Sequence, residues 1–247
     1  MRESIDINCD LGEGCGNDAE LMKYISSANI ACGGHAGNLQ LMRRTVELAI
    51  ANSVAIGAHP GYADQQNFGR IAIDLNPDEI FDTVANQIQK LQEVCNDLGA
   101  AVVHVKPHGA LYNLSAKDPT VAAAVAEAVN AADADMILFG LSGSHSITEA
   151  KRIGLRTASE AFADRTYQND GSLTPRTEVN ALISDSATSI EQVLNMIRYG
   201  RVRTTEAVMI QITAETICIH GDATHAVDFA RSIKSALAEN AIAIEKP

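Results

Sequence analysis

The chain has 247 residues, 46% of them apolar and only 4% aromatic, which is enough for one large α/β domain (residues 1–247) filled by aliphatic layers. A formal charge of −12 argues against nucleic acid or an anionic membrane surface as partner. Five cysteines without C-x-x-C spacing, no apolar signal region at the N-terminus and no apolar run long enough for a bilayer predict a cytoplasmic protein without disulfides or structural zinc.

Short β-branched runs alternate with helical patterns, as βα units around a parallel sheet require. Strands are predicted at Ser4–Cys9, Ala28–Cys32, Val54–Ala58, Ala101–Lys106, Met136–Gly140, Leu155–Ala161 and Thr216–His220. Helices are expected over Leu39–Asn52, Ser144–Ile153, Ser189–Tyr199 and Ala223–Glu239. Asn76-Pro77-Asp78-Glu79 supplies an N-cap, a proline at the first helical position and first-turn acids for a long helix to Gly99. Asp118-Pro119 opens an Ala-rich helix ending near Ala132 in the same way. The α/β pattern predicts a closed or nearly closed (β/α) barrel, with a doubly wound open sheet as the alternative, because strand order is not written in the sequence. Ala163–Arg176 is too polar and too punctuated by Gly and Pro for a helix and is read as a functional excursion.

The strand ends carry polar residues that a scaffold does not need. Asp6, Asn8 and Asp10 share one parity and Ile5 and Ile7 the other, so one face of the first strand looks into a site or into water. Gly12-Glu13-Gly14-Cys15-Gly16 fails the spacing of a dinucleotide-binding loop and is read as a flexible turn that carries Glu13 to the site. His35 and His59 close the second and third strands, and Gly69-Arg70 follows the third. His104, Lys106 and His108 share a parity, Val103 and Val105 take the opposite one, and Pro107 ends regular pairing. A Pro-terminated edge strand with solvated charges is the bland reading of that stretch.

Asp164-Arg165 and Arg176 flank the excursion, and His220 and Asp222 end the last strand, while His225 is assigned to a helix surface. Asp10, His35 and His59 form an Asp-His-His set suited to zinc, which keeps a metal-dependent amidase or deacetylase as the alternative function. The absence of a G-x-x-x-x-G-K-[ST] motif argues against ATP activation by this chain itself.

In this order, Asn8-Cys-Asp-Leu-Gly-Glu13, Ser27-Ala-Asn-Ile-Ala-Cys32 with His35-Ala-Gly37, Gly57-Ala-His-Pro-Gly-Tyr62, Phe68-Gly-Arg70, His104-Val-Lys-Pro-His-Gly-Ala-Leu-Tyr-Asn113, Phe162-Ala-Asp-Arg165, Asp170-Gly171, Pro175-Arg176 and His220-Gly-Asp222 resemble the LamB/YcsF family. The resemblance implies a distorted (β/α)7 TIM-like barrel similar to glycoside hydrolase and deacetylase barrels. It also implies the A-subunit role in an ATP-dependent 5-oxoprolinase, opening 5-oxo-L-proline to L-glutamate with B and C subunits as partners. Departures from the family pattern are Gly34 for Phe, Asn38 for Asp, Gly14-Cys15 for Ser-Phe and Ile71 for Arg, which bear on substrate fit.

The expected catalytic residues are Asp10, Glu13, His59, Lys106 and His108, with His59 or His108 as general base and Lys106 on a developing oxyanion. The expected substrate-binding residues are Asn8, His35, Arg70, Asp164, Arg165 and His220. ATP enters through the complex, a metal ion at Asp10, His35 and His59 stays open, and so does self-association. Ala163–Arg176, including Tyr167, and the Tyr62–Arg70 loop, including Gln66, are the expected partner contacts.

Overall fold

The β-branched runs form strands, and the computed structural model, which describes residues 3–221 and 226–247, closes seven of them into a parallel barrel. In chain order the elements are β1 (Ser4–Leu11), α1 (Asp18–Leu21), β2 (Ser27–Ala31), α2 (Leu39–Ala51), β3 (Ala55–His59), α3 (Pro77–Asp97), β4 (His104–Val105), α4 (Gly109–Lys117) and α5 (Pro119–Ala132). There follow β5 (Ile137–Leu141), α6 (His145–Arg152), β6 (Arg156–Phe162), α7 (Ser186–Tyr199), β7 (Arg201–Arg203), β8 (Met209–Gln211), β9 (Thr216–Ile219), α8 (Ala226–Glu239) and β10 (Ala243–Ile244). The order β1-β2-β3-β4-β5-β6-β9 closes through β9–β1 pairing, so the open-sheet alternative falls, and β10 adds in parallel outside β1.

The helix starts follow local chemistry. Asn76 and Glu79 make a reciprocal capping box on α3, and the Asp118 side chain accepts from the Thr120 and Val121 amides at the head of α5. Outward-facing Ile7, Leu138 and Ile217 pack with Val84, Ile88, Leu91, Val125 and Val129 of the helices into one aliphatic layer. Its burial is the main driving force of the fold.

Three differences from the predicted elements matter for the site. The fourth strand shrinks to His104–Val105, although Val103 and Lys106 still donate to Ile56 and Ala58. Val103 is exposed and Val102 is buried instead. Gly109–Lys117 is a helix of its own, and residues 201–211 form a small antiparallel hairpin, β7–β8. The expected start of the last helix at Ala223, together with Asp222 and His225, lies outside the described residues.

The excursion after β6 is packed, not splayed. The Tyr167 hydroxyl accepts from the Phe162 amide at 2.8 Å, and Tyr167, Arg165 and Thr174 are all buried. Tyr167 is therefore a core residue of this segment rather than a partner contact, whereas Gln66 is exposed.

Inside the barrel the polar parity of β1 becomes a hydrogen-bonded column. Asp6 accepts from Ser26, Ser27 and Thr216, and Asn8 donates to Thr216 and to Glu160. Asn29 donates to both Asn8 and Asp10. Burial this deep requires partners for such groups, and the column supplies them. Beside it, His104 lies over Gly57, where an added Cβ would come within 2.0 Å of the ring, and stacks on Phe139 at 4.3 Å.

Candidate active site

The column ends at the C-terminal mouth of the barrel, where the strand-end residues converge on a cleft of about 960 Å³. Asp10, Glu13, His59, Lys106 and His108 all line it, together with Arg70, Arg165, Arg176 and His220. Asn8, His35 and Asp164 are buried and are not among the residues that line it.

Lys106 sits between two buried carboxylates. Its Nζ is 2.9 Å from Asp10 Oδ1, 2.9 Å from Glu160 Oε1, 3.1 Å from Cys218 Sγ and 3.3 Å from Asn8 Oδ1. Burial alone would lower the ammonium pKa, but Asp10, with Cys218 and Glu160, raises it well above the usual lysine range. Burial would likewise raise Asp10, yet His59 and Lys106 outweigh it and hold the carboxyl well below its ordinary value. The three ammonium hydrogens are committed to this network, so Lys106 fixes an ionised Asp10 more directly than it meets an oxyanion.

The histidines form a second layer above it. His59 Nε2 lies 2.9 Å from His108 Nδ1 and 3.3 Å from Asp10 Oδ2. Glu13 Oε1 is 3.1 Å from His35 Nε2, 3.5 Å from His108 Nδ1 and 4.0 Å from His59 Nε2. His35 stacks on His108 with centroids 3.6 Å apart and planes 4° from parallel. Burial, then the neighbouring His59 and His35, push the His108 pKa down, and burial lowers His35 as well. Gly69 permits this stacking: its φ is +61°, and an added Cβ would lie 2.7 Å from that of His35.

On the far wall the Asp164 carboxylate accepts from the His220 amide and from Nδ1 at 2.9 Å, which orients that ring. Burial would raise Asp164, but His220 overrides it and lowers the carboxyl. The Arg165 guanidinium donates to the Thr174 and Ala181 carbonyls, and burial with the nearby Arg176 lowers it to about 10. Arg70 lies over the Phe68 ring at 4.8 Å.

Two groups of donor atoms are close enough to share an ion among the described residues: Glu13, His35, His59 and His108, and Asp10, Cys218 and His220, with the atoms in each group within 4.8 Å of one another. In the second, Cys218 already faces the Lys106 ammonium.

Sequence reasoning missed Glu160, Asn29 and the carbonyl of Phe68, which accepts from His108 Nε2 at 2.9 Å. The single acid in the predicted strand Leu155–Ala161 was the available sign for Glu160. An amide in Ala28–Cys32 was the sign for Asn29; nothing in sequence marks a carbonyl. Of the departures, Gly34 is filled from elsewhere: an added Cβ would stand 2.5 Å from Gln87 Oε1.

Residues 5–247 match the LamB/YcsF family. A Clostridium kluyveri protein named as the A subunit of 5-oxoprolinase is 53% identical over 98% of this chain and 97% of its own length. The crystal structure of a lactam utilization protein from Thermus thermophilus superposes with a TM-score of 0.92, at 37% identity, over 98% of this chain and 99% of that one. The polysaccharide deacetylase Bc1974 from Bacillus cereus shares the barrel fold alone, at 15% identity and a TM-score of 0.52, over 100% of this chain and 92% of that one. A match along almost the whole chain places this protein in the LamB/YcsF family.

Proposed function

We propose that this barrel is the A subunit of an ATP-dependent 5-oxoprolinase and carries the ring-opening half of the reaction, converting 5-oxo-L-proline to L-glutamate. The observation that carries the reading is the buried cluster of Asp10, Glu13, His59 and His108 at the mouth, in a relative of proteins named for that activity. A five-membered lactam is resonance-stabilised and recloses readily, so its opening needs an external driving force, which ATP supplies through the B and C subunits.

In the cleft, water adds to the ring carbonyl, the C–N bond breaks, and the ring nitrogen leaves with a proton. His59 or His108 takes the proton from water, and Glu13 relays that proton to the leaving nitrogen, while Asp10 stays ionised and orients the His59 ring. Lys106 keeps Asp10 charged. Arg70 and Arg165 hold the substrate carboxylate, with Asp164 steering His220 from behind. The cleft is far larger than a single lactam needs, which suits an activated lactam delivered from a partner subunit. The five cysteines form no disulfide, which supports a reading in which the reaction runs in the reducing, ATP-rich cytoplasm. None of the described helices is long and apolar enough to cross a membrane.

The test is reconstitution. The purified chain with ATP and 5-oxoproline should release no glutamate above background, and addition of B and C subunits should restore release. Robust ATP-dependent opening by the chain alone would overturn the division of labour.

A further inference from the structure

His59 and His108 face each other through the wrong atoms for an ordinary hydrogen bond. His59 Nδ1 is 2.7 Å from the Lys106 carbonyl and His108 Nε2 is 2.9 Å from the Phe68 carbonyl. A carbonyl only accepts, so each of those nitrogens carries the ring proton. The remaining nitrogens, His59 Nε2 and His108 Nδ1, then present lone pairs to each other at 2.9 Å. Two carboxylate oxygens converge on the same point: Asp10 Oδ2 at 3.3 Å from His59 Nε2 and Glu13 Oε1 at 3.5 Å from His108 Nδ1. Four electron-rich atoms without an intervening positive charge repel one another.

We propose that His59 Nε2, His108 Nδ1, Asp10 Oδ2 and Glu13 Oε1 hold one divalent transition-metal ion of the zinc or cobalt class. Ligand atoms about 2.1 Å from an ion stand about 3.0 Å apart at right angles and about 4.2 Å apart when opposite. The four separations measured from the two histidine nitrogens, 2.9, 3.3, 3.5 and 4.0 Å, run from just under the right-angle spacing to just under the opposite one.

The surroundings are those of a ligand set. Each imidazole is fixed by a backbone carbonyl on its far nitrogen, which sets the tautomer that metal binding needs. Asp10 is held through its other oxygen by Lys106 and Asn29, and Glu13 is held by His35 Nε2 at 3.1 Å. Imidazole with carboxylate suits zinc, cobalt or manganese better than a soft monovalent ion. Charge points the same way: the carboxylates of Asp10, Glu13 and Glu160 against the one Lys106 ammonium leave two negative charges, which one divalent cation neutralises. A single shared proton would satisfy the histidine pair but not the two converging carboxylates. All four ligand residues line the cleft, so an ion there is open to a small molecule.

The ion would sit in the cluster to which lactam opening assigns proton handling, but its binding stands alone, and failure to bind would leave the lactam reading in place. The chain is stripped with dipicolinate, then titrated with Zn2+ by calorimetry and with Co2+ by visible absorption. Saturation at about one equivalent is expected, with visible bands of nitrogen- and oxygen-ligated Co2+ and a raised Tm in Zn2+. His108→Gln and Glu13→Gln, each shown to be folded by circular dichroism, should weaken binding by at least tenfold. Cys15→Ser, which removes the exposed thiol, should leave it unchanged. No saturable uptake of Zn2+, Co2+ or Mn2+ by the wild-type chain would overturn the proposal. So would uptake undiminished in a folded His59→Gln/His108→Gln variant, or a proton shared between the two ring nitrogens, seen by 15N NMR, that persists in excess Zn2+.

Discussion

Lys106 stands between the carboxylates of Asp10 and Glu160, so its loss acts on fold and chemistry at once. Removing one partner of a buried charge network typically costs about 3–5 kcal/mol, because the other charges are left uncompensated. Lys106→Met should therefore lower the unfolding free energy by that order, read from urea denaturation, and abolish glutamate formation in the complex. Adding Glu160→Gln should return part of the stability and none of the activity; full stability in the single variant would contradict the network as drawn. His104 offers a pH test. Burial, then Lys106 and His59, lower its pKa to about 3, while the unfolded chain titrates near about 6.5. The unfolded state thus binds a proton that the native state refuses, so the contribution of neutral His104 is present above about pH 6.5 and lost as pH falls towards about 3. Between pH 7 and pH 4 this group should remove about 3 kcal/mol, seen as a steeper fall of the urea midpoint in wild type than in His104→Gln. Parallel curves would contradict a buried neutral imidazole.

Elements place these residues by register. Asp10 pairs with Asn29, Asn29 with Gly57 and Gly57 with His104, so one layer of the barrel carries an acid, an amide, a bare backbone and a ring. The bare position is necessary. Gly57→Ala would put a methyl 2.0 Å from His104 Nε2, and such overpacking costs about 1–3 kcal/mol or more. Its expected readout is a lowered Tm with the barrel spectrum retained, and an unchanged Tm would show that His104 has room to move. Much of this level is legible in the sequence because it is local: the parity of His104, Lys106 and His108, the proline-led caps at Asn76 and Asp118, and the polar face of β1. What escapes is long-range or lacks local punctuation. Asn8 and Glu160 touch across 152 residues of chain, which no spacing announces. Helix α4 begins at Gly109, directly after Pro107 and the N-cap His108, whose side chain makes no cap, so nothing local marks its start.

For the whole molecule, one barrel mouth gathers residues from β1, β3, β5 and β6, from just past β4 and β9, and from the packed excursion into a single cleft, where the proposed function sets ring opening. The surface around it has features that other subunits can use. Val179 is fully exposed and Leu182 more than half exposed on the segment between Arg176 and α7. The α/β class was legible from alternation alone; closure into a barrel through β9–β1 is a property of strand order, which sequence does not carry. The central claim is that ring opening happens in this mouth. Its most direct test is glutamate formation from 5-oxoproline and ATP by the complex of this chain with the B and C subunits, compared with the same complex carrying Glu13→Gln. The account predicts a loss of about a hundredfold or more with assembly intact; wild-type turnover in an assembled Glu13→Gln complex would contradict it.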